Sequence, residues 1–327
     1  MRILPGEYVL HRPIELIRCK DIAIVGTRGA QFRFAPEPDP TPALTKELHQ
    51  GDTQMFLDRA ASMHAGWRYQ IYPENKKGDR ILEFMVSAVA ADHVELAQPV
   101  RFMGHVKSIP AGSLVIDQVN FFRIMESDNV SIRGLCLDGG NRGDVHGHTT
   151  YSGIIAVGIY KIGERPKSTG LTVENCRIEN LKGRGFAAYG MNEVLVEGCY
   201  FANADSQAIE LDHFSSGQVR NNEIHSSGVG IALNDAFDSV VEGNVVVDCD
   251  SPISFVKHFD HDWVNTGNLV RCNTISGGAR RAALDFLSPM SGNILENNLI
   301  VGIPEKRWFF QAEGNRLGKI LTPEASK

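Results

Sequence analysis

Three short clusters of ionisable and amide side chains recur at nearly one interval: Glu210, Asp212 and His213; Asn234 and Asp235; Lys257 and His258. Carboxylates two residues apart on an extended strand share a face at about 6.7 Å. That lies inside the span of about 6.5 to 9.5 Å between the acid and base of an inverting glycosidase, and Glu210 and Asp212 meet the condition. Histidine and lysine supply bases for proton abstraction, so the catalytic candidates are Glu210, Asp212, His213, Lys257 and His258. Glu210, Asp212 and Asp235 together offer the oxygen ligands that Ca2+ takes, which makes Ca2+ the one cofactor the pattern suggests. Tyr189, Asn234 and Asp285 fall on the same alternation, Asp235 stands at a strand end beside them, and all four are candidate substrate contacts.

Two long segments flank this set, DGGNRGDVHGHTTYS from Asp138 to Ser152 and KHFDHDWVNTGN from Lys257 to Asn268. Both exceed what a corner needs, and loops of that kind carry function more often than chance. They add His146, His148 and His261 as substrate-contact candidates, bordered by Asp138, Asp144, Asp260 and Asp262. His146 and His148 lack a defined third ligand for a metal site. DGGNRGD lacks the spacing of a helix-loop-helix calcium loop, and GRGFAA (183–188) precedes a strand pattern where a dinucleotide fingerprint needs a helix.

A repeat must position these residues. Asparagine occurs once in the first 119 residues and eighteen times from Asn120 onward. Aligning LTVENCRI, VLVEGCYF, GQVRNNEI, SVVEGNVV, NLVRCNTI and NILENNLI puts Cys176, Cys199, Asn222, Asn244, Asn273 and Asn298 in one column, with steps of 23, 23, 22, 29 and 25 residues. Periods of this size signal stacked repeats, and the alternation is that of strands. After each unit comes a second alternation in which Ile209/Leu211, Ile231/Leu233, Ile253/Phe255 and Leu284/Phe286 point inward while Glu210/Asp212, Ala232/Asn234, Ser254/Val256 and Asp285/Leu287 point outward. Stacked asparagines hydrogen-bond along the stack, so that column is structural, and Cys176 and Cys199 read as buried thiols in the same stack.

PIELI (13–17), DIAIVG (21–26) and AQFRFA (30–35) form a first coil, and the coils resume at NFFRIMES (120–127). Between them a Pro-rich linker opens a segment of short alternating strands, predicted as a small β subdomain. The expected organisation is a first coil at 1–35, an insert at 36–118, the main solenoid at 119–302, and a cap and tail at 303–327 in which Trp308, Phe309 and Phe310 form capping core.

Composition bounds the function. The 327 residues carry 33 basic and 39 acidic side chains for a net charge of −6, which argues against a nucleic-acid partner. The longest uncharged run, Thr149 to Tyr160, falls short of the roughly 18 residues that span a bilayer, so no membrane partner is expected. Six cysteines are too few for a disulfide scaffold. MRILPGEYVL has no apolar core of a signal peptide, which leaves localisation open.

The coil of about 23 residues with its asparagine column resembles the right-handed, single-stranded parallel β-helix of the pectate lyase superfamily. The resemblance covers roughly residues 120–302 and implies an all-β solenoid, a polysaccharide substrate, and a secreted or periplasmic location. A monomer is expected, with a homotrimer as the alternative. Three functions are compatible with it. The first is a polysaccharide lyase or C5-epimerase acting on a uronate-containing polysaccharide, with Lys257, His258 or His213 as base and Ca2+ on Glu210, Asp212 and Asp235. FDHDW (259–263) is similar to the DPH-type motif of alginate epimerases but lacks its proline. The second is an inverting glycoside hydrolase using Glu210 and Asp212, although the NTD, paired-Asp and RIK motifs of polygalacturonases are not readable here. The third is a non-catalytic glycan-binding or structural β-helix.

Overall fold

The computed structural model describes residues 1–35, 41–72, 82–102, 107–117, 120–141, 151–288 and 290–322. Met1–Phe34, Asn120–Asn141 and Ser152–Lys327 make one compact unit, and Ala35–Val119 with Tyr151 belong to a second. The first unit is built from three long sheets of ten, nine and ten strands. Every strand pairs in parallel with its counterpart one coil away, for example Ile209 with Ile231 and Ile253 with Leu284. This is the predicted parallel β-helix, and its only described helical elements are short 3-10 turns such as Glu305–Arg307.

The inward residues Ile209, Ile231, Ile253 and Leu284 form one fully buried column and Leu211, Leu233, Phe255 and Phe286 another. Alternation sends their neighbours outward along the nine-stranded sheet, in the rows Ala187–Glu210–Ala232–Ser254–Asp285 and Tyr189–Asp212–Asn234–Val256.

The asparagine column stands at one corner, where each backbone N–H donates to the side chain of the next coil. Cys199 donates to Asn222 (3.0 Å), Asn222 to Asn244 (3.0 Å), Asn244 to Asn273 (3.0 Å) and Asn273 to Asn298 (3.1 Å). Cys176 donates to the Cys199 sulfur at 3.4 Å, so the two free thiols occupy asparagine positions. A second ladder, not recognised in the sequence, stands at the corner that follows the nine-stranded sheet: Ser215, Ser239, Asn268, Asn293 and Asn315 accept from the preceding coil at 3.0 to 3.2 Å. Serine and asparagine both supply a short oxygen acceptor, so the column is chemically continuous although mixed in type.

The outer face at the end of another sheet carries the register row Arg133, Glu174, Glu197, Arg220, Glu242, Arg271, Glu296. Mixed sign along the row pairs Arg133 with Glu174, Arg220 with Glu197, and Arg271 with Glu242 at 2.7 to 2.9 Å.

One sequence expectation about organisation, the cap after residue 302, meets a different arrangement. The residues after 302 continue the solenoid: Phe309–Phe310 adds to Leu284–Asp285, and Arg316–Leu317 and Ile320–Leu321 extend the other two sheets. The added strands are two residues long, so the edge they present carries few unpaired amides. Trp308–Phe310 are only partly buried there. In sequence the insert separates the strands Ile14–Ile17 and Asn120–Met125, which pair directly with each other. Its strands Gln54–Phe56, Arg68–Tyr72, Leu82–Val89, His93–Leu96 and Leu114–Asp117 form a five-stranded antiparallel sheet around a core containing Met55, Ile71, Val86 and Val94.

Candidate functional site

The site is built where the strands Phe186–Tyr189, Gln207–Asp212, Val229–Asn234 and Ser251–Val256 end side by side. Each coil must turn sharply at that point. The residue after the strand adopts a left-handed conformation at Glu126, Gly190, His213 and Asp235, with φ between 49° and 62°. The turn is therefore a property of the corner in successive coils. His213 and Asp235 hold polar side chains at it, whereas Gly190 leaves room for the Tyr160 ring, which would meet a Cβ at 2.1 Å. His213 is followed by a second left-handed residue, Phe214 (φ 66°). Its ring is fully buried with Phe237 and Val264, against Tyr160, Phe259 and Trp263. This aromatic cluster ties the segment 257–268 to the corner of the preceding coils.

Glu210 is 1% exposed. Its Oε2 accepts from the Arg184 guanidinium and from the Tyr189 hydroxyl (2.9 Å), and its Oε1 accepts from Asn234 Nδ2 (2.8 Å). Burial pushes the Glu210 carboxyl above its ordinary range while Arg184 pulls it back. Burial works against the Arg184 charge, but Glu210, Tyr189 and Asp212 together hold the guanidinium above its ordinary value. Burial, then Glu210, also raise the Tyr189 phenol. Three donors converging on two oxygens mark Glu210 as an acceptor that fixes its neighbours.

Asp235 is fully buried. Its Oδ1 accepts from the backbone N–H of His258 (2.6 Å) and Phe259 (3.1 Å), and its Oδ2 faces His258 Nδ1 at 2.9 Å. It anchors the start of the aromatic segment and sets the imidazole at the same time. Asp212 Oδ1 lies 3.7 Å from His258 Nδ1 and 2.9 Å from His213 Nδ1. The His213 contact is off the line of a full hydrogen bond, yet Asp212 holds His213 above its ordinary value against the pull of burial. The two imidazoles are 6.0 Å apart, each backed by an aspartate.

One ligand atom each from Asp212, Asp235 and His258 falls within 4.8 Å of the others, a span that one divalent cation bridges. Two carboxylates and an imidazole suit a transition ion or Zn2+ better than Ca2+, which prefers oxygen. Glu210, expected as a Ca2+ ligand, stands outside this group because Arg184, Tyr189 and Asn234 occupy its oxygens.

The other expected residues divide. The predicted outward rows are real, but they are not an open surface: Glu210, Asp212, Asn234, Asp235 and Asp285 are 0 to 5% exposed, and it is the imidazoles that face solvent, His258 with 44% of its side chain accessible. Lys257, a candidate base, is paired with Asp260 at 2.7 Å. Asp285 is held by two donors of Arg281 at 2.8 Å. His261 packs beside Trp263 and Phe214 in the aromatic cluster. His146 and His148 lie outside the described residues, as does Asp144. Arg184 and Tyr160 escaped the sequence reading, since neither lies on the outward alternation; Arg184 stands two residues before Phe186 in the GRGFAA run set aside as a false fingerprint.

In three dimensions the chain is similar to the DFA-IIIase from Arthrobacter chlorophenolicus (TM-score 0.48, 11% identity, 98% of this chain and 76% of that one). It is also similar to an exopolygalacturonase from Thermotoga maritima (0.46, 12%, 98% and 84%) and to the tailspike protein gp49 from Pseudomonas phage LKA1 (0.39, 10%, 92%). The chain spans 54% of the length of that tailspike. No curated protein matches it in sequence. Residues 133–306, more than half of the chain, match the family of right-handed β-helix regions, and the protein belongs to that family.

Proposed function

We propose that this protein is a carbohydrate-active enzyme that hydrolyses a glycosidic bond of an extended polysaccharide at Asp212 and His258. The observation that carries the proposal is the convergence of Asp212, Asp235 and His258 from successive coils within 4.8 Å. Parallel stacking gives a long, straight row of side chains, which suits a linear polymer better than a small compact ligand. The partly exposed rings of Tyr160, Tyr189 and Phe259 beside acidic acceptors suit a sugar, which offers both C–H faces and hydroxyls.

In this reading Asp235 keeps His258 Nδ1 protonated and aimed, so that Nε2 can exchange a proton at the scissile linkage. Asp212, with 6% of its side chain accessible, is the second proton-transfer group. Glycoside hydrolysis passes through an oxocarbenium-like state. Glu210, Asp212 and Asp235 bring three carboxyl groups against the single guanidinium of Arg184, a surrounding that favours developing positive charge.

Elimination or C5-epimerisation of a uronate builds negative charge instead and needs a cation on the substrate carboxylate. One observation favours that second reading: a divalent ion held by Asp212, Asp235 and His258 would reverse the local field.

The test is a panel of neutral, amino and uronate polysaccharides incubated with the full chain, with and without added divalent ions. New reducing ends without an unsaturated product, lost in Asp212→Asn and His258→Gln, are expected. An unsaturated product, or altered uronate stereochemistry at constant chain length, replaces hydrolysis by the second reading. Binding without any turnover would leave a glycan-binding β-helix.

A further inference from the structure

The hydrogen-bonding inventory of this face is lopsided. Its carboxylates and amide oxygen accept: among the described residues the hydrogen-bond and ion-pair partners of Asp212 and Asp235 are histidines and backbone amides, and Asn234 Oδ1 has no hydrogen-bond partner although Asn234 is 5% exposed. Asn234 cannot relieve this by turning its amide over, because Nδ2 is committed to Glu210 Oε1 at 2.8 Å, and Glu210 is itself fixed by Arg184 and Tyr189. The lysine and arginine side chains that border the outward rows are spent on carboxylates, Arg184 on Glu210, Lys257 on Asp260 and Arg281 on Asp285, and the two imidazoles, His213 and His258, are each backed by an aspartate. A ligand carboxylate entering here would compete with Asp212 and Asp235 for the imidazoles they already engage, or would have to displace an arginine or lysine ion pair. A ligand that brings donors completes what is already present.

We infer that the sugar unit held beside Asp212 and Asn234 is a hydrogen-bond donor without a carboxylate, a neutral or amino sugar and not a uronate. The inference rests on the reading of this face as a glycan site and supplies its substrate class. Hydroxyls and an ammonium group share the chemistry the acceptors require, and the position of Asn234 in the row between Asp212 and Val256 makes it a specificity-determining residue.

Calorimetric titration of the full-length His258→Gln protein with neutral, chitosan-derived and uronate oligosaccharides of equal length tests this independently of turnover. Neutral or chitosan oligomers are expected to bind at least about tenfold tighter than the uronates at low salt, and whichever of the two binds tighter distinguishes hydroxyl from ammonium recognition. Asn234→Leu should weaken the preferred oligomer by about tenfold or more, while Asp212→Asn should narrow the gap to the uronates. Tightest binding by uronates, or no binding by any of the three, overturns the inference. Should Asn234→Leu fail to fold, the wild-type order of affinities and the Asp212→Asn comparison decide it. Tight neutral binding without hydrolysis by the wild type refutes the hydrolytic reading and leaves this one standing.

Discussion

Asp235 performs two tasks that one substitution separates. As an ionised acceptor it takes the His258 and Phe259 amides on Oδ1 and the His258 imidazole on Oδ2, all without exposure to solvent. Asp235→Asn preserves the shape and leaves an oxygen for the two amides. Charge-assisted hydrogen bonds contribute roughly twice as much as neutral ones, so two weakened contacts should cost about 2 kcal/mol. Asp235→Ala removes the acceptor entirely and should cost about 3 to 5 kcal/mol, from two amides losing their partner and a small cavity. The functional consequence runs the other way. In Asp235→Asn the amide N–H meets His258 Nδ1, which must then be the unprotonated nitrogen, so the proton moves to Nε2 and the base is lost. Turnover should fall by about 10²- to 10⁴-fold, the usual contribution of a positioned acid or base, although the protein remains folded. Urea unfolding, nitrogen-resolved NMR of His258 and release of reducing ends measure the three effects. An Asp235→Asn protein that keeps its Nδ1 proton, or keeps full turnover with the tautomer reversed, would refute the assignment of His258 as the proton-transfer group.

Two further expectations concern the scaffold and the second histidine. Asn244 makes four ladder contacts, donating to Val219 O and Asn273 Oδ1 and accepting from Asn222 N and Nδ2; Asn244→Leu should destabilise by about 3 kcal/mol or more in urea unfolding, whereas Asn244→Cys, the solution used at Cys176 and Cys199, should cost less, and equal costs would contradict the ladder's role. Because Asp212 raises His213, its imidazole should titrate in NMR above the ordinary 6.5, and the stability it adds should be complete below that pH and vanish as pH rises through the folded-state value, an excess absent from Asp212→Asn.

Much of the fold was legible because a solenoid writes its tertiary contacts into one dimension. A residue 23 positions away in sequence is a neighbour in space, so alternation plus period fixed the inward columns of Ile209 and Leu211 and the outward placement of Glu210 and Asp212. The asparagine column was visible because its members are nearly of one type, whereas the Ser215–Asn315 ladder mixes serine with asparagine and did not stand out. The continuation of the coil past residue 302 escaped notice because its strands are two residues long, too short to show alternation.

The sequence alone determined the class of fold, the parallel register and the set of side chains that share the acidic face, since all three follow from period and alternation. Only the tertiary structure decided how those side chains are used. Arg184 reaches across a coil to engage Glu210, Asp260 engages Lys257, and Asp235 orients His258 across successive corners. These pairings depend on corner conformation and side-chain reach over a few ångströms, which no one-dimensional pattern encodes. They separate groups already committed to partners from those left with a free acceptor or an exposed ring.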